Sequence, residues 1–307
     1  MILTVCLSPC IDVNIEVDSL SVGMAHKIIS KRIFFTGKAI NVAIGVARLN
    51  ADAFATGFMY EDNGNCFEQE LHREGVPYKF IWSEGRVREN YKFIDHKSML
   101  TEINDISPEL SVQKQEELIS LVGQLSKICE AVVISGSLAK GMTPDYYAKI
   151  LSVVPDGVYK VVDTEGERLY SALSCGVDLV KPNLEELERT LKKPLKTKAE
   201  MLEGCKELIK KGAKRVLLSL GKQGAIIADK DTQFYSKSVN VAMNSTVGAG
   251  DGMVAAATQA LVSGGDLSEI LRCGVAAGTA AVTSPVSISF GKDKYEEILS
   301  TLTVKEL

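Results

Sequence analysis

Short apolar runs alternate with amphipathic segments through the second half of the chain. The runs, rich in β-branched residues, lie at 131–135, 159–163, 177–181 and 214–220, and the helical patterns lie at 143–154, 183–193 and 198–211. Strands that alternate with helices form a parallel sheet covered by helices. The pattern therefore predicts an α/β fold. Thr143 is the predicted N-cap of the first of these helices, with Pro144 at its first position.

Two stretches do not follow this alternation. Residues 11–36 and 87–103 show period-two alternation with no helical pattern inside either stretch. We interpret them as a small sheet that folds over the main sheet as a lid. Because no internal repeat or Pro/Gly/Ser-rich linker interrupts the chain, we expect residues 1–307 to form a single domain.

Composition excludes several classes of protein. Hydrophobic residues make up 46% and charged residues 24%, with 35 Lys plus Arg against 39 Asp plus Glu. This weakly acidic chain has no dense basic block, which argues against nucleic acid or an anionic membrane as partner. The opening residues 1–9 lack a basic segment and predict a strand rather than a signal peptide. Seven scattered cysteines without CxxC pairs favour a reducing cytoplasm.

The most informative segment is NSTVGAGDGMVAAATQAL at 244–261. If Gly250 and Asp251 open the helix, the amides of Gly248, Ala249 and Gly250 form an anion-binding turn. A carboxylate beside such a turn would repel phosphate, so Asp251 is better explained as a base that removes a proton from an attacking hydroxyl. The alternative is that Asp251 only caps a helix. The dinucleotide-binding and P-loop signatures are both absent.

At this point the sequence resembles a known family. The segment STVGAGDGMVAA is similar to the C-terminal signature of ribokinase-like (PfkB) carbohydrate kinases. Further segments follow in the family's order: SPCID at 8–12, FTGKAINVAIGVARL at 35–49, RENYKF at 88–93, SGSLAKG at 135–141, KPNLEEL at 181–187 and SLGKQGA at 219–225. The resemblance implies a three-layer α/β/α sandwich with a small β-sheet lid, an ATP-dependent phosphotransferase activity, and Asp251 as catalytic base.

The resemblance also assigns binding residues. It implies that the sugar is bound by Asp12, Gly37, Lys38 and Asn41. It implies that ATP is bound by Lys181, Asn183, Ser219, Gly221 and Gly224. Asn183 and Glu186 match an NxxE pattern and would hold Mg²⁺ through water molecules. Ser137 follows the strand at 131–135, and open α/β sheets bind ligands where their strands end.

Arg88 and Lys92 have the same parity on a predicted lid strand and would present two cations on one face. A solvated strand face is the simpler explanation of such a pair. The RxNxK pattern, however, resembles the 1-phosphofructokinase and tagatose-6-phosphate kinase branch, in which the substrate already carries a phosphate. We therefore expect a ketohexose monophosphate as acceptor: fructose 1-phosphate first, with tagatose 6-phosphate and fructose 6-phosphate as alternatives.

Other interpretations stay open at this stage. A kinase for a free sugar or a nucleoside, or a sugar-phosphate-binding regulator without catalysis, would share many of these residues. The chain also departs from the family pattern at Ser8, Cys10, Thr36 and Ala39, where added side chains near the sugar would affect specificity. Exposed lid strands favour a homodimer through edge pairing.

Overall fold

A computed structural model describes residues 1–97, 99–242, 244, 247–284 and 290–307. Its strands are β1 (Ile2–Cys6), β2 (Cys10–Val17), β3 (Ile28–Thr36), β4 (Ala53–Tyr60), β5 (Tyr78–Ser83), β6 (Arg88–Ile94), β7 (Leu100–Asn104), β8 (Ala131–Ser135), β9 (Tyr159–Asp163), β10 (Leu179–Val180), β11 (Val216–Ser219), β12 (Ala225–Ala228), β13 (Gln233–Ser236) and β14 (Val304–Glu306). Its α-helices are α1 (Lys38–Arg48), α2 (Asn65–Arg73), α3 (Val112–Leu125), α4 (Tyr146–Ser152), α5 (Gly166–Leu173), α6 (Leu184–Leu191), α7 (Lys198–Lys210), α8 (Ala249–Val262), α9 (Leu267–Thr283) and α10 (Lys292–Thr301). Short 3₁₀ turns cover Ser126–Ile128 and Gly221–Gln223.

Within these residues, ten strands form the main sheet in the order β14-β13-β12-β11-β10-β9-β8-β1-β4-β5. The strands from β5 to β11 are parallel, and β12 to β14 continue the sheet antiparallel. Strands β8 and β9 have the predicted bounds, whereas only Leu179 and Val180 of the predicted run 177–181 form a strand. Most residues of the central strands are apolar and buried, because helices cover both faces of the sheet.

The helices form two layers. On one side α1 contacts α8, α8 contacts α9, and α9 contacts α10. On the other side α3 to α7 contact one another in sequence order. Helices α8 and α9 contain many buried Ala and Gly residues, which allow close approach of their backbones. This confirms the α/β/α sandwich.

None of the helices in the described part of the chain is long and apolar enough to cross a bilayer.

Two helix starts differ from prediction. Helix α4 begins at Tyr146, and Thr143 does not cap it because its hydroxyl donates to the Asp145 carboxylate instead. Helix α8 begins at Ala249, with Gly248 as N-cap, rather than at Gly250. Gly248 has a φ of 82°, a left-handed conformation that glycine adopts without strain and that brings the chain into the helix earlier.

The two alternating stretches form a second sheet of four described strands, in the order β3-β2-β6-β7. Strand β2 is antiparallel to β3 and parallel to β6, and β6 is antiparallel to β7. Cys10 and Asp12 on β2 point to the same side as Arg88 and Lys92 on β6. The edge strands β3 and β7 leave Ile28, Ile29, Ile33, Leu100 and Ile103 exposed.

Candidate active site

One large cleft of about 1070 Å³ lies at the carboxyl ends of the central strands, under the small sheet. The ends of β1, β8 and β9 are in register, so that Cys6, Ser135 and Asp163 are neighbours. Open α/β sheets bind ligands at this edge. Every site residue predicted from the sequence lines the cleft: Asp12, Gly37, Lys38, Asn41, Arg88, Lys92, Ser137, Lys181, Asn183, Glu186, Ser219, Gly221, Gly224, Gly248, Ala249, Gly250 and Asp251.

Asp251 lies in the first turn of α8 and is 6% exposed. Gly248, not Asp251, is the N-cap of this helix, so Asp251 is not the helix cap that the alternative required. Instead, the Asn41 side-chain amide of α1 donates to Asp251 Oδ2 at 2.7 Å. Burial raises the pKa of Asp251 to about 6, and this rise is opposed by the nearby Lys38 ammonium. A carboxylate with a raised pKa at the wall of a cleft suits proton abstraction.

The amino end of α8 faces the cleft beside Asp251. Because the helix starts at Ala249, the amides of Ala249, Gly250 and Asp251 have no carbonyl one turn earlier in the helix. The Lys181 ammonium lies 3.2 Å from the position that a Cβ at Gly250 would occupy. A larger residue at Gly250 would therefore displace Lys181. The helix end and the lysine together form a positive surface suited to a phosphate.

Asp163, which sequence analysis missed, organises the cations of the cleft. It is fully buried at the end of β9 and forms ion pairs with Lys38 at 3.3 Å and Lys181 at 3.2 Å. The Ser135 hydroxyl also donates to Asp163 Oδ2 at 2.9 Å. Burial alone would raise the pKa of Asp163, but Lys181, Lys38 and Ser135 lower it to about 2. The Asp163 charge in turn raises the pKa of Lys38, so this lysine stays charged.

Asn183 and Glu186 form a reciprocal capping box at the start of α6. The Glu186 amide donates to Asn183 Oδ1, and the Asn183 amide donates to Glu186 Oε2, both at 2.8 Å. The remaining oxygen, Glu186 Oε1, accepts from Lys38 at 3.3 Å. Among the described residues there is no cluster of three or more His, Cys, Asp or Glu side chains around a metal position. A single fixed carboxylate at a phosphate site nevertheless fits Mg²⁺, which keeps much of its hydration.

The small sheet supplies the opposite wall. Arg88 Nε donates to Ser8 Oγ at 3.2 Å, and Arg88 Nη1 donates to Asn90 Oδ1 at 3.2 Å. Lys92 forms an ion pair with Asp12 Oδ2 at 3.0 Å, and Asn90 donates to Asp12 Oδ1 at 3.2 Å. Lys92 is thus not a solvated surface lysine. Sequence analysis assigned no role to Asn90, although it is the central residue of the RxNxK pattern and has the same parity as Arg88 and Lys92.

The other end of the cleft has glycine turns and small side chains. Gly224 has a φ of 95°, and a Cβ there would lie 2.0 Å from the Ser236 carbonyl oxygen. Only glycine fits, which keeps this turn open beside Ser219 and Gly221. The wall is completed by residues of α8 and α9: Met253, Val275, Gly278, Thr279 and Val282. This apolar end has the character of a site for a flat heterocyclic ring.

Comparison with known proteins decides the family. The model of the pfkB family carbohydrate kinases matches residues 1–293. The chain belongs to the pfkB family of carbohydrate kinases. It is 28% identical over 312 residues to the tagatose-6-phosphate kinase of Staphylococcus epidermidis, with all of both chains covered. It is 30% identical over 281 residues to the 1-phosphofructokinase of Borreliella burgdorferi, with 91% of each covered.

A solved structure agrees with these relatives. Phosphofructokinase-2 from Escherichia coli in complex with potassium is 30% identical, with a TM-score of 0.89 over 97% of this chain and 98% of that one. The pfkB kinase described here is therefore an ATP-dependent phosphotransferase of ribokinase-like fold.

Proposed function

We propose that this pfkB kinase transfers the γ-phosphate of ATP to a hydroxyl of a ketohexose monophosphate, with Asp251 as the base. Fructose 1-phosphate is the favoured acceptor, followed by tagatose 6-phosphate and fructose 6-phosphate, and the products are ADP and a hexose bisphosphate. The observation that carries the proposal is the position of Asp251. Its buried carboxylate, held by Asn41, lines the same cleft as the cations of the small sheet and the glycine turns.

The chemistry follows from this position. The acceptor hydroxyl is placed against Asp251, which takes its proton as the oxygen attacks the γ-phosphorus. The new O–P bond forms in line with the bond to the β-phosphate oxygen, which breaks and leaves ADP. The amides of Ala249 and Gly250 and the ammonium groups of Lys181 and Lys38 balance the charge on the transferred group. Each of these groups is already positioned by Asp163 or by the helix itself.

Mg²⁺ is the proposed metal, held through water by Asn183 and Glu186. Its chemistry when bound is to neutralise charge on the ATP phosphates. The capping box supports this role because it fixes the Glu186 side chain in one orientation toward the cleft. The glycine turn at Ser219, Gly221 and Gly224, together with Lys181 and Asn183, is the proposed ATP site.

The acceptor's phosphate is assigned to the small-sheet wall. Arg88 gives directional contacts and Lys92 a second positive charge, whereas a neutral sugar would need neither. Asp12, Asn41, Gly37, Lys38 and Ser137 remain the proposed contacts to the sugar. The names of the two curated relatives, which act on tagatose 6-phosphate and fructose 1-phosphate, support this class of substrate.

We further propose that the small sheet acts as a lid on a single-domain enzyme in the cytoplasm. Closing it would exclude water and limit ATP hydrolysis. The seven cysteines are all free thiols, which is in keeping with a reducing compartment. The exposed isoleucines of the edge strands support a homodimer formed through the lid.

The test is a panel of ketohexose phosphates and the matching free sugars in a coupled ADP-release assay, run with wild type and Arg88→Ala. Charge-assisted hydrogen bonds contribute roughly 1.5–3 kcal/mol, so kcat/KM for the preferred phosphosugar should fall by roughly ten- to a hundred-and-fifty-fold. The preference over the free sugar should shrink by a similar factor, with little change in the KM for ATP.

Arg86→Ala is the matched control, because Arg86 lies two residues away, pairs with Glu89 and is outside the cleft. A wild type that uses only free sugars or nucleosides would replace the proposed substrate class. A wild type that binds sugar phosphates without releasing ADP would make the chain a regulator. An Arg88→Ala variant that keeps its preference for the phosphosugar would indicate that the acceptor's phosphate binds at Lys38 or Lys92 instead.

A further inference from the structure

The cleft face of the small sheet is arranged in rows across neighbouring strands. Thr36 of β3, Cys10 of β2 and Arg88 of β6 are register partners and form one row. The next row contains Asp12 and Asn90. Since adjacent strands lie about 4.8 Å apart, Cys10 is the immediate neighbour of the residue assigned to the acceptor's phosphate. Cys10 and Thr36 both line the cleft.

Cys10 and Thr36 contact each other directly. Cys10 Sγ and Thr36 Oγ1 are 3.1 Å apart, and the Thr36 hydroxyl donates to the Cys10 carbonyl oxygen at 3.2 Å. The Cys10 thiol also has Asp12 Oδ1 as an acceptor at 4.0 Å. Burial raises the pKa of the Cys10 thiol, which keeps it neutral. The polar atoms of the pair therefore have partners within the small sheet, and the pair offers a ligand mainly shape.

The same two positions depart from the family pattern that the sequence resembles. The chain therefore has a sulfur atom and a whole threonine side chain in contact at one point of the wall. Ser8, a third departure, contacts Arg88. Ala39, the fourth, is buried in α1 and does not line the cleft. Ser8 and Cys10 thus lie beside Arg88, and Thr36 contacts Cys10 on the far side.

We propose that the Cys10–Thr36 pair is a specificity-determining element of the acceptor site, which narrows the cleft beside Arg88 and selects among ketohexose monophosphates by ring shape and phosphate position. This inference rests on the proposed function. The pair acts on the sugar and not on ATP, because it lies on the small-sheet wall, away from the glycine turns. One methylene group in a well-packed pocket changes selection by roughly 10- to 200-fold.

The experiment compares kcat/KM for fructose 1-phosphate, tagatose 6-phosphate and fructose 6-phosphate, with free fructose and tagatose in parallel. Wild type, Cys10→Ala, Thr36→Gly and the double variant are assayed. In the double variant the ratio between the best and second-best acceptor should fall about tenfold or more, with the KM for ATP changed less than about twofold. The two single effects should not add, because the side chains touch. A ratio of two substrates is independent of the fraction of folded enzyme.

Two further variants separate shape from other effects. Thr36→Val keeps the shape and removes the hydroxyl, so it should retain the wild-type ratio; a fall as large as that of Thr36→Gly would overturn a steric role. Cys66→Ala removes a thiol of α2 outside the cleft and should leave the ratio unchanged. If the double variant does not fold, the ratio between the best and second-best acceptor is compared between wild type and the two single variants.

Failure of this inference is distinct from failure of the proposed function. A wild type that uses only free sugars overturns the proposed function, but the ratio of fructose to tagatose still tests the pair. An unchanged ratio in the double variant overturns the role of the pair while leaving the function intact. A wild type inactive on every sugar of the panel overturns both.

Discussion

Asp251 has to be deprotonated to act as a base, and its surroundings set the pH at which this happens. Burial favours the neutral acid, whereas Lys38 and the Asn41 amide favour the carboxylate. The balance leaves a pKa of about 6. At neutral pH most of the protein therefore holds Asp251 as the anion, with a proton affinity well matched to the working pH.

We predict that kcat/KM falls on the acid side of pH 6 and is about tenfold lower at pH 5 than on the plateau. The sign follows because the protonated acid cannot accept a proton.

Asp251→Asn should lower kcat by on the order of 10²–10⁴ while leaving ATP binding nearly unchanged. The measurement is a pH profile of the steady-state rate, with ATP affinity followed by calorimetry.

The residual rate of Asp251→Asn also serves as the control for this profile. It should lack the acid limb, because the titrating carboxyl is gone. A fall at acid pH that persists unchanged in the variant belongs to a substrate phosphate, either of ATP or of the acceptor. A variant that keeps a tenth or more of wild-type turnover removes Asp251 from the mechanism.

At the scale of single elements, the start of α6 combines a structural and a proposed metal-binding role. Glu186→Gln separates them, because glutamine still accepts the Asn183 amide but carries no charge. We predict an almost unchanged melting temperature and a several-fold higher Mg²⁺ concentration for half-maximal rate. A magnesium titration at limiting metal, together with thermal unfolding, measures both.

Helix α7 provides the matched control for this variant. Thr197 and Glu200 form the same kind of capping box there, on the exposed surface. Glu200→Gln should change neither the melting temperature nor the magnesium dependence. If Glu186→Gln behaves in the same way, Glu186 is a capping residue only.

Asp163, at the end of β9, is a fully buried charge that is paired with Lys181. Asp163→Asn would leave Lys181, 3% exposed, with no counter-charge at that position. We predict a loss of about 3–5 kcal/mol in the free energy of unfolding. Glu203→Gln, which breaks an exposed pair with Lys206, should cost no more than about 1 kcal/mol.

Denaturant unfolding measures both variants. Because the pKa of Asp163 is lowered in the folded state, its contribution to stability is lost only as the pH falls below about 4 towards 2. The difference between wild type and Asp163→Asn should thus be constant through neutral pH. A variant as stable as wild type would mean that Lys181 finds another partner.

The sequence predicts elements better than it predicts pairings between them. The hydrophobic period and the turn residues were sufficient to predict β8, β9 and the two halves of the small sheet. The family motifs identified residues that line one cleft. The role of Asp163 was not predicted, because nothing in the local sequence distinguishes an aspartate at a strand end from a turn residue. Its role depends on Lys38 and Lys181, which are distant in sequence. The prediction that Thr143 caps its helix was wrong, because its hydroxyl donates to the Asp145 carboxylate instead.

At the scale of the whole molecule, the outer surface of the small sheet is unusually apolar at its edges. Ile33 is 46% and Ile103 57% exposed, on the two edge strands β3 and β7. We predict that the protein is a dimer in solution and that the double variant Ile33→Lys with Ile103→Lys is a monomer, because lysine on an edge strand opposes pairing. Size-exclusion chromatography with light scattering measures the mass.

Ile128→Lys is the control for this double variant. Ile128 is 73% exposed but lies in the turn after α3, away from the small sheet. It should leave the dimer intact. A wild type that is monomeric at micromolar concentration, or a double variant that remains dimeric, would place any association elsewhere.

The hydrogen bond between Asn41 and Asp251 joins residues 210 positions apart. A chain still emerging from the ribosome therefore carries the proposed sugar-binding residues of its first half long before the proposed base, Asp251, is made. Since closing so long a loop comes late in folding, catalytic activity appears only after most of the protein is assembled. Turnover thus reports completion of the tertiary structure.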